Sequence, residues 1–202
     1  MVLLENVKKS FSGKLLFSIP QLSLDRGFTC LSGAPGCGKT TLGRIICGLE
    51  KPDTGIISGV DGSSVVLCQE SRLLPSLSAY DNAAVICRTD ESKRLSRELL
   101  TRLFFTEDDM KKLPSELSGG MARRVSIVRA LVFASENKGT FALLDEPFTG
   151  LDPETRKAAS DLIKEHLSER AVLVISHDEE EHELLGGKTI AFSSLFDPNG
   201  QI

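Results

Sequence analysis

The chain has 202 residues, of which 41% are hydrophobic and 26% charged, and its formal net charge is −4. This composition predicts one globular domain with a substantial core. The acidic balance argues against nucleic acid as the main partner, because phosphate backbones are bound through an excess of Lys and Arg. No stretch resembles a signal peptide or reaches the roughly 18 apolar residues of a membrane span.

The first elements are short strands. Alternating and apolar runs predict strands at residues 2–7, 15–19, 22–24 and 28–32, with a polar turn over residues 8–13. Pro20 is expected to separate the second strand from the third, since proline lacks the N–H that a strand ladder uses.

The run after residue 32 fits G-x-x-x-x-G-K-[ST], a phosphate-binding loop. Three glycines allow the backbone N–H groups to converge on one polyphosphate, and a helix starting near Lys39 directs its positive dipole end at the same anion. The Lys39 ammonium suits the β- and γ-phosphates, and the Thr40 hydroxyl suits Mg²⁺. The loop comprises Gly33, Ala34, Pro35, Gly36, Cys37, Gly38, Lys39, Thr40 and Thr41.

The middle of the chain changes character. A Pro/Gly turn at residues 51–55 is followed by a buried strand at 64–68, which runs into Gln69. From about residue 76 to residue 117 glycine is absent and leucines recur at helical spacing, which predicts an inserted helical subdomain. A further helix is predicted over residues 119–133.

Two later apolar strands end in polar residues. The strand at 141–144 is followed by Asp145 and Glu146, and the strand at 171–176 by His177, with a helix predicted at 153–167 between them. In a parallel sheet these side chains meet at the carboxyl edge, where ligands bind. Asp145 is predicted to hold Mg²⁺, and Glu146 to act as general base. His166, His182 and the acidic run at 179–181 are interpreted as ordinary surface residues.

A second candidate anion site precedes the helix at 119–133. Ser118, Gly119 and Gly120 would expose N–H groups and a helix dipole end without a lysine. Since one chain needs only one γ-phosphate site, the arrangement makes sense if this segment closes over nucleotide held by another copy. The alternative is an ordinary N-capped helix with a glycine turn.

With these motifs in this order, the chain resembles the ATP-binding subunit of an ABC transporter over essentially its whole length. The resemblance rests on the phosphate loop, Gln69, the signature LSGGM at 117–121, the FALLDE run at 141–146, the D-loop at 150–152 and His177. It implies one ABC ATPase domain over residues 1–202. The α/β fold would have a mostly parallel sheet, N-terminal antiparallel strands and a helical subdomain at about 76–117.

The resemblance also implies roles and partners. Phe11 would stack on adenine, Thr40, Gln69 and Asp145 would bind Mg²⁺, Glu146 would be the catalytic base, and His177 would stabilise the γ-phosphate. Ser118, Gly119 and Gly120 would act on ATP held by a second copy or a homologous subunit, with Asp152 at the dimer seam. The implied partners are permease subunits at the cytoplasmic face of the cell membrane and an extracytoplasmic substrate-binding protein.

Details of the motifs leave alternatives open. Met121 in the signature, together with residues 69–75 and 81–82, resembles nitrate, sulfonate and taurine importer ATPases. Residues 120–124 also resemble ATPases of phospholipid trafficking. A non-transport clamp on nucleic acid or ribosomes is disfavoured by the acidic charge and the lack of a long insertion. A degenerate regulatory module is disfavoured because Lys39, Asp145, Glu146 and His177 are present.

Overall fold

The computed structural model describes residues 1–196. Its strands are β1 (Val2–Phe11), β2 (Lys14–Leu24), β3 (Gly27–Ser32), β4 (Thr54–Ser58), β5 (Val65–Leu67), β6 (Phe141–Asp145), β7 (Ala171–Ile175) and β8 (Lys188–Ala191). Its helices are α1 (Lys39–Ile46), α2 (Ala79–Ala84), α3 (Asp90–Arg102), α4 (Glu107–Lys111), α5 (Gly119–Glu136), α6 (Pro153–Leu167) and α7 (Glu179–Leu185). Two short 3₁₀ turns lie at Pro114–Glu116 and Phe192–Leu195.

The central sheet is parallel and has the strand order β5-β6-β7-β3-β8. Its buried strands alternate between two apolar layers, because successive side chains of a strand point to opposite faces. Phe141 and Leu143 of β6 face a core shared with α1 and the antiparallel sheet β2-β1-β4. Ala142 and Leu144 face the second core, which contains α5, α6 and the helical region.

The predicted fold class is confirmed. The strands at 28–32, 64–68, 141–144 and 171–176, and the helices at 119–133 and 153–167, are found within a few residues of their predicted bounds. The stretch from 76 to 117 contains helices α2, α3 and α4 and one 3₁₀ turn. No helix among residues 1–196 combines the length and the apolar character required to cross a membrane.

The extent of the N-terminal turn and the strand break at Pro20 were predicted wrongly, since the turn occupies only residues 12–13. Strand β1 continues through residues 8–11, and β2 continues through Pro20. Pro20 is exposed on an edge strand, opposite a gap in the β1 ladder at Asn6, whose φ is 52°. A proline is tolerated there because no ladder N–H is required of it. Residues 54–58, read partly as turn, form strand β4 beside β1.

The interpretation of the acidic run and His182 as surface residues was wrong in part. Helix α7 and strand β8 follow His177; Glu179 and Glu180 are exposed as predicted, but Glu181 and His182 are only 4% and 5% exposed. The Ser176 hydroxyl donates to Glu181 Oε2 at 2.6 Å, and His182 Nε2 lies 3.3 Å from the Ser176 carbonyl oxygen. The acidic run therefore begins a helix that packs beneath the end of β7. His166 on α6, also interpreted as a surface residue, is half-buried.

Candidate nucleotide-binding site

The predicted motifs meet at the carboxyl edge of the parallel sheet. Gln69 follows β5, Asp145 ends β6, His177 follows β7, and the phosphate loop, residues 33–41, follows β3. These four strands are neighbours in the order β5-β6-β7-β3. The order of the strands, rather than the order of the sequence, therefore brings the motifs together.

The phosphate loop has the backbone expected of an anion-binding nest. Gly36 and Gly38 have φ values of 75° and 113°, in the left-handed region that side chains disfavour. The buried Lys39 ammonium lies inside the loop and donates to the carbonyl oxygens of Gly33 and Ala34 at 2.6 and 2.9 Å. Helix α1 begins at this lysine, so a charge and a helix dipole converge at one point.

Oxygen donors suited to Mg²⁺ lie at the start of this helix. The Thr40 hydroxyl donates to Asp145 Oδ2 at 2.8 Å, and Gln69 lines the same cleft. Burial raises the pKa of the Asp145 carboxyl, while the hydrogen bond from Thr40 opposes that rise. A hydroxyl, a carboxylate and an amide oxygen are hard ligands, so the residues present fit the metal implied by the sequence.

Glu146 and His177 form a contact across the ends of β6 and β7. Glu146 has a φ of 49° and donates its N–H to the Ile175 carbonyl at 2.8 Å. Its Oε1 lies 2.9 Å from His177 Nδ1. The left-handed backbone costs on the order of 1–3 kcal/mol and is a feature of strained functional positions. The hydrogen bond that His177 donates to the Glu146 carboxylate raises the pKa of the exposed His177 imidazole.

Most of the predicted site residues line one cleft of about 550 Å³. Ala34 and Cys37 are absent from its lining, although Cys37 Sγ lies 3.8 Å from Lys39 Nζ. The Phe11 ring is half-exposed at the mouth of the cleft, with the Lys9 ammonium 5.0 Å from its centroid. The predicted residues that line the cleft are Phe11, Gly33, Pro35, Gly36, Gly38, Lys39, Thr40, Thr41, Gln69, Asp145, Glu146 and His177.

The signature segment, residues 118–120, and Asp152 lie outside the lining of this cleft. Ser118 is the N-cap of α5 and accepts the Met121 N–H at 3.2 Å. Asp152 is the N-cap of α6 and accepts the Thr155 N–H at 3.0 Å. Both residues therefore have local capping roles, and their action on another copy stays a prediction.

Sequence reasoning missed two kinds of contact at the site. Leu16 and Thr149 line the cleft without belonging to a recognised motif. Arg123 on α5 is 2% exposed and donates hydrogen bonds to the backbone of Gln69, which follows β5, and of Asp145, which ends β6. Nothing in the sequence distinguishes Arg123 from the adjacent Arg124, since both lie in the same predicted helix.

A phosphate loop before a helix, a carboxylate at the end of a neighbouring strand and a parallel sheet define a P-loop nucleoside triphosphatase. The model of the ABC transporter family matches residues 21–149. The chain therefore belongs to the ABC transporter family, as an ATP-binding and ATP-hydrolysing subunit.

Relatives and solved structures agree with this assignment. The chain is 33% identical to the ergothioneine transport ATP-binding protein EgtV of Helicobacter pylori, over 96% of this chain and 98% of that one. It is 37% identical to the aliphatic sulfonates import ATP-binding protein SsuB 3 of Rhodococcus jostii, over 94% of this chain and 70% of that one. The predicted resemblance to sulfonate importer ATPases is thereby confirmed.

Two dimeric structures of ATP-binding cassettes share the fold. A bacterial ABC transporter cassette superposes with a TM-score of 0.79 at 24% identity, covering 95% of this chain and 94% of that one. A cassette in a post-hydrolysis state, bound to ADP and Pi, superposes with a TM-score of 0.78 at 25% identity and the same coverage.

Proposed function

We propose that two copies of this chain bind two Mg·ATP between them and that hydrolysis drives a separate permease at the cytoplasmic face of the membrane. The observation that carries the proposal is the convergence of Gln69, Asp145, His177 and the phosphate loop at the ends of four neighbouring strands. We propose further that residues 1–202 act as one domain, with a helical subdomain at about 76–117 that contacts the permease.

Each residue of the cleft has a role in this proposal. The phosphate loop and Lys39 bind the phosphates, and Phe11 stacks on adenine with its half-exposed ring. Thr40, Asp145 and Gln69 would hold Mg²⁺, which when bound neutralises phosphate charge. Glu146 accepts the proton of the attacking water, and His177, in contact with Glu146, orients that carboxylate and faces the γ-phosphate.

The second half of each site comes from the other copy. Ser118, Gly119 and Gly120 begin an 18-residue helix, whose dipole end favours an anion. Since they lie outside this chain's own cleft, we propose that they close over ATP held by the partner. Asp152 would then lie at the seam of a twofold-symmetric dimer.

We infer import as the direction of transport. Several relatives carry names for import of aliphatic sulfonates, and one from Mesoplasma florum is named for spermidine and putrescine import. Since these names cover unlike solutes, specificity would reside in the permease and in an extracytoplasmic substrate-binding protein. The names support the importer alternative over a clamp on nucleic acid or a phospholipid-trafficking ATPase.

The substitution Glu146→Gln tests the proposal. The amide retains the size of the side chain but cannot accept a proton, so kcat is expected to fall by about 10²–10⁴-fold while ATP binding persists. Size-exclusion chromatography with ATP should then reveal a long-lived dimer. The control is Glu169→Gln, which alters an exposed glutamate beside Arg26 and should retain wild-type turnover. Wild-type turnover in Glu146→Gln would refute the assignment of the base.

A further inference from the structure

Arg123 is among the largest fully buried side chains of the described chain. It lies on α5, three residues after Gly120, and its residue surface is 2% exposed. A buried charge is costly unless its donors are all paired. The contacts of this guanidinium therefore indicate what it does.

All five N–H donors of a guanidinium are accounted for by backbone carbonyl oxygens here. Nε donates to Pro147 at 2.9 Å, and one terminal nitrogen donates to Asp145 and Glu146 at 2.6 and 2.7 Å. The other terminal nitrogen donates to Cys68 and, at 3.2 Å, to Gln69. Burial lowers the pKa of Arg123 to about 10, so the side chain stays charged at neutral pH.

These carbonyls belong to the ends of β5 and β6, just beyond the last residues that the two strands pair. The paired register of β5 and β6 ends at Leu67 opposite Leu144. Cys68 and Gln69 continue from β5, while Asp145 and Glu146 continue from the pairing on β6. Arg123 donates to the segments that follow β5 and β6, so its guanidinium links the two strands just beyond their last paired residues.

We propose that Arg123 is a positioning residue for ATP hydrolysis. Its side chain sets the spacing between Gln69 and Glu146 and couples that spacing to the position of the signature segment. The inference rests on the proposed function. Arg123 is not itself among the residues that line the cleft, and it acts through the backbone carbonyls of Gln69, Asp145 and Glu146, which are. A displacement of about 1 Å in such a group costs up to roughly 10²-fold in rate.

The position of Arg123 on α5 connects these hydrogen bonds to the signature segment. Ser118, Gly119 and Gly120 begin the same helix, so a rigid shift of the signature segment on dimer closure moves the guanidinium as well. These hydrogen bonds would transmit that shift to Gln69 and Glu146 within the same chain. The signature segment would then act on the partner's ATP directly and on its own chain's site through Arg123.

Substitutions at two buried arginines test the proposal. Arg123→Gln and Arg123→Lys remove the five-donor fork, since neither side chain can span both strand ends. Arg170 provides the matched control: it is 8% exposed and donates to the carbonyls of Ala134, Asn137 and Gly139 at the opposite end of α5. Steady-state kcat, KM for ATP and the thermal midpoint are measured for Arg123→Gln, Arg123→Lys, Arg170→Gln and Arg170→Lys.

The expected result is a kcat reduced roughly tenfold or more in both Arg123 variants, with KM for ATP within about threefold of wild type. The Arg170 variants should lose comparable thermal stability and retain kcat. Wild-type kcat in folded Arg123→Lys would overturn the proposal. So would misfolding of both Arg123 variants beside folded Arg170 variants, because Arg123 would then serve the fold alone.

The Glu146→Gln variant, assayed in parallel, separates the two levels of inference. If Glu146→Gln is inactive while the Arg123 variants turn over like wild type, only the positioning role fails. If Glu146→Gln itself turns over like wild type, the proposed catalytic site fails, whatever the Arg123 variants do.

Discussion

Two adjacent glycines of the signature segment have different surroundings. A Cβ added at Gly119 would meet no atom within 4 Å, whereas one at Gly120 would lie 2.6 Å from the Gly150 carbonyl oxygen. Gly150 belongs to the loop that follows β6, so Gly120 allows the start of α5 to approach that backbone closely. Close packing of backbone therefore requires glycine at position 120, whereas the space around position 119 would accept a larger side chain.

Alanine substitutions should separate these reasons. Gly120→Ala forces backbone apart and is expected to lower the free energy of unfolding by about 1–3 kcal/mol. Gly119→Ala, in open space at a helix start, is expected to raise it by about 0.4–1 kcal/mol through the unfolded chain. Urea unfolding of the two variants measures both values. Equal effects of the two substitutions would contradict the close approach of Gly120 and Gly150.

Residues that directly follow apolar strands were predictable, and buried polar residues on helices were not. Asp145, Glu146 and His177 could be placed because a parallel strand delivers the residues at its carboxyl end to the ligand edge. The burial of Arg123 and Glu181 depends on which element packs over them, and periodicity within their own segments carries no information about that. Both lie beneath the predicted residues and contact neighbouring backbone or side chains there.

At the scale of elements, α4 in the helical region is held by a capping box. The Thr106 hydroxyl accepts the Asp109 N–H at 3.1 Å, and Asp109 Oδ2 accepts the Thr106 N–H at 3.1 Å. Lys112 donates to the other carboxylate oxygen at 2.6 Å. The hydrogen bond from Lys112, followed by those from Thr106, holds the pKa of Asp109 well below its usual range.

The depressed pKa gives this helix a predictable acid sensitivity. Because the folded pKa lies below the unfolded value of about 3.9, the ionised carboxylate stabilises the fold above that pH, and the effect is lost as pH falls further. Asp109→Asn is expected to lower the free energy of unfolding by about 0.3–1 kcal/mol at neutral pH. Denaturation of both proteins from pH 7 to pH 2 should bring their stabilities together in acid. A difference independent of pH would contradict the role of the charge.

Element boundaries depended on partners that the sequence does not reveal. Residues 8–11 of the turn predicted at 8–13 became strand because they pair with β2, and Lys8 also pairs with Thr54 of β4. The proline in β2 did not break it because the strand lies at the edge of its sheet. Local propensity predicted the interiors of α6 and β7 correctly, because burial and periodicity agree there. It failed in β1 and β2, where pairing with distant strands determines the secondary structure.

At the scale of the whole molecule, the cleft contains one half of the proposed site and the signature segment the other. The two halves lie apart within one chain, since Ser118, Gly119 and Gly120 are absent from the cleft lining. Head-to-tail pairing of two copies would complete two sites at once. The sequence indicated this arrangement through two anion-binding helix starts in one chain, although their separation became visible only in the fold.

A mixing experiment tests this composite site. Lys39→Ala removes the phosphate-binding ammonium, and Gly119→Asp places a carboxylate in open space, where it would repel a partner's ATP. Each variant alone should be inactive, because both sites of its dimer carry the defect. In an equal mixture about half of the dimers combine the two chains, and each has one site with Lys39 and Gly119 intact. The mixture should therefore recover roughly a quarter of the wild-type ATPase rate if the sites act independently. Activity no higher than that of either variant alone would place Lys39 and Gly119 in the same site of one copy, or in no common site.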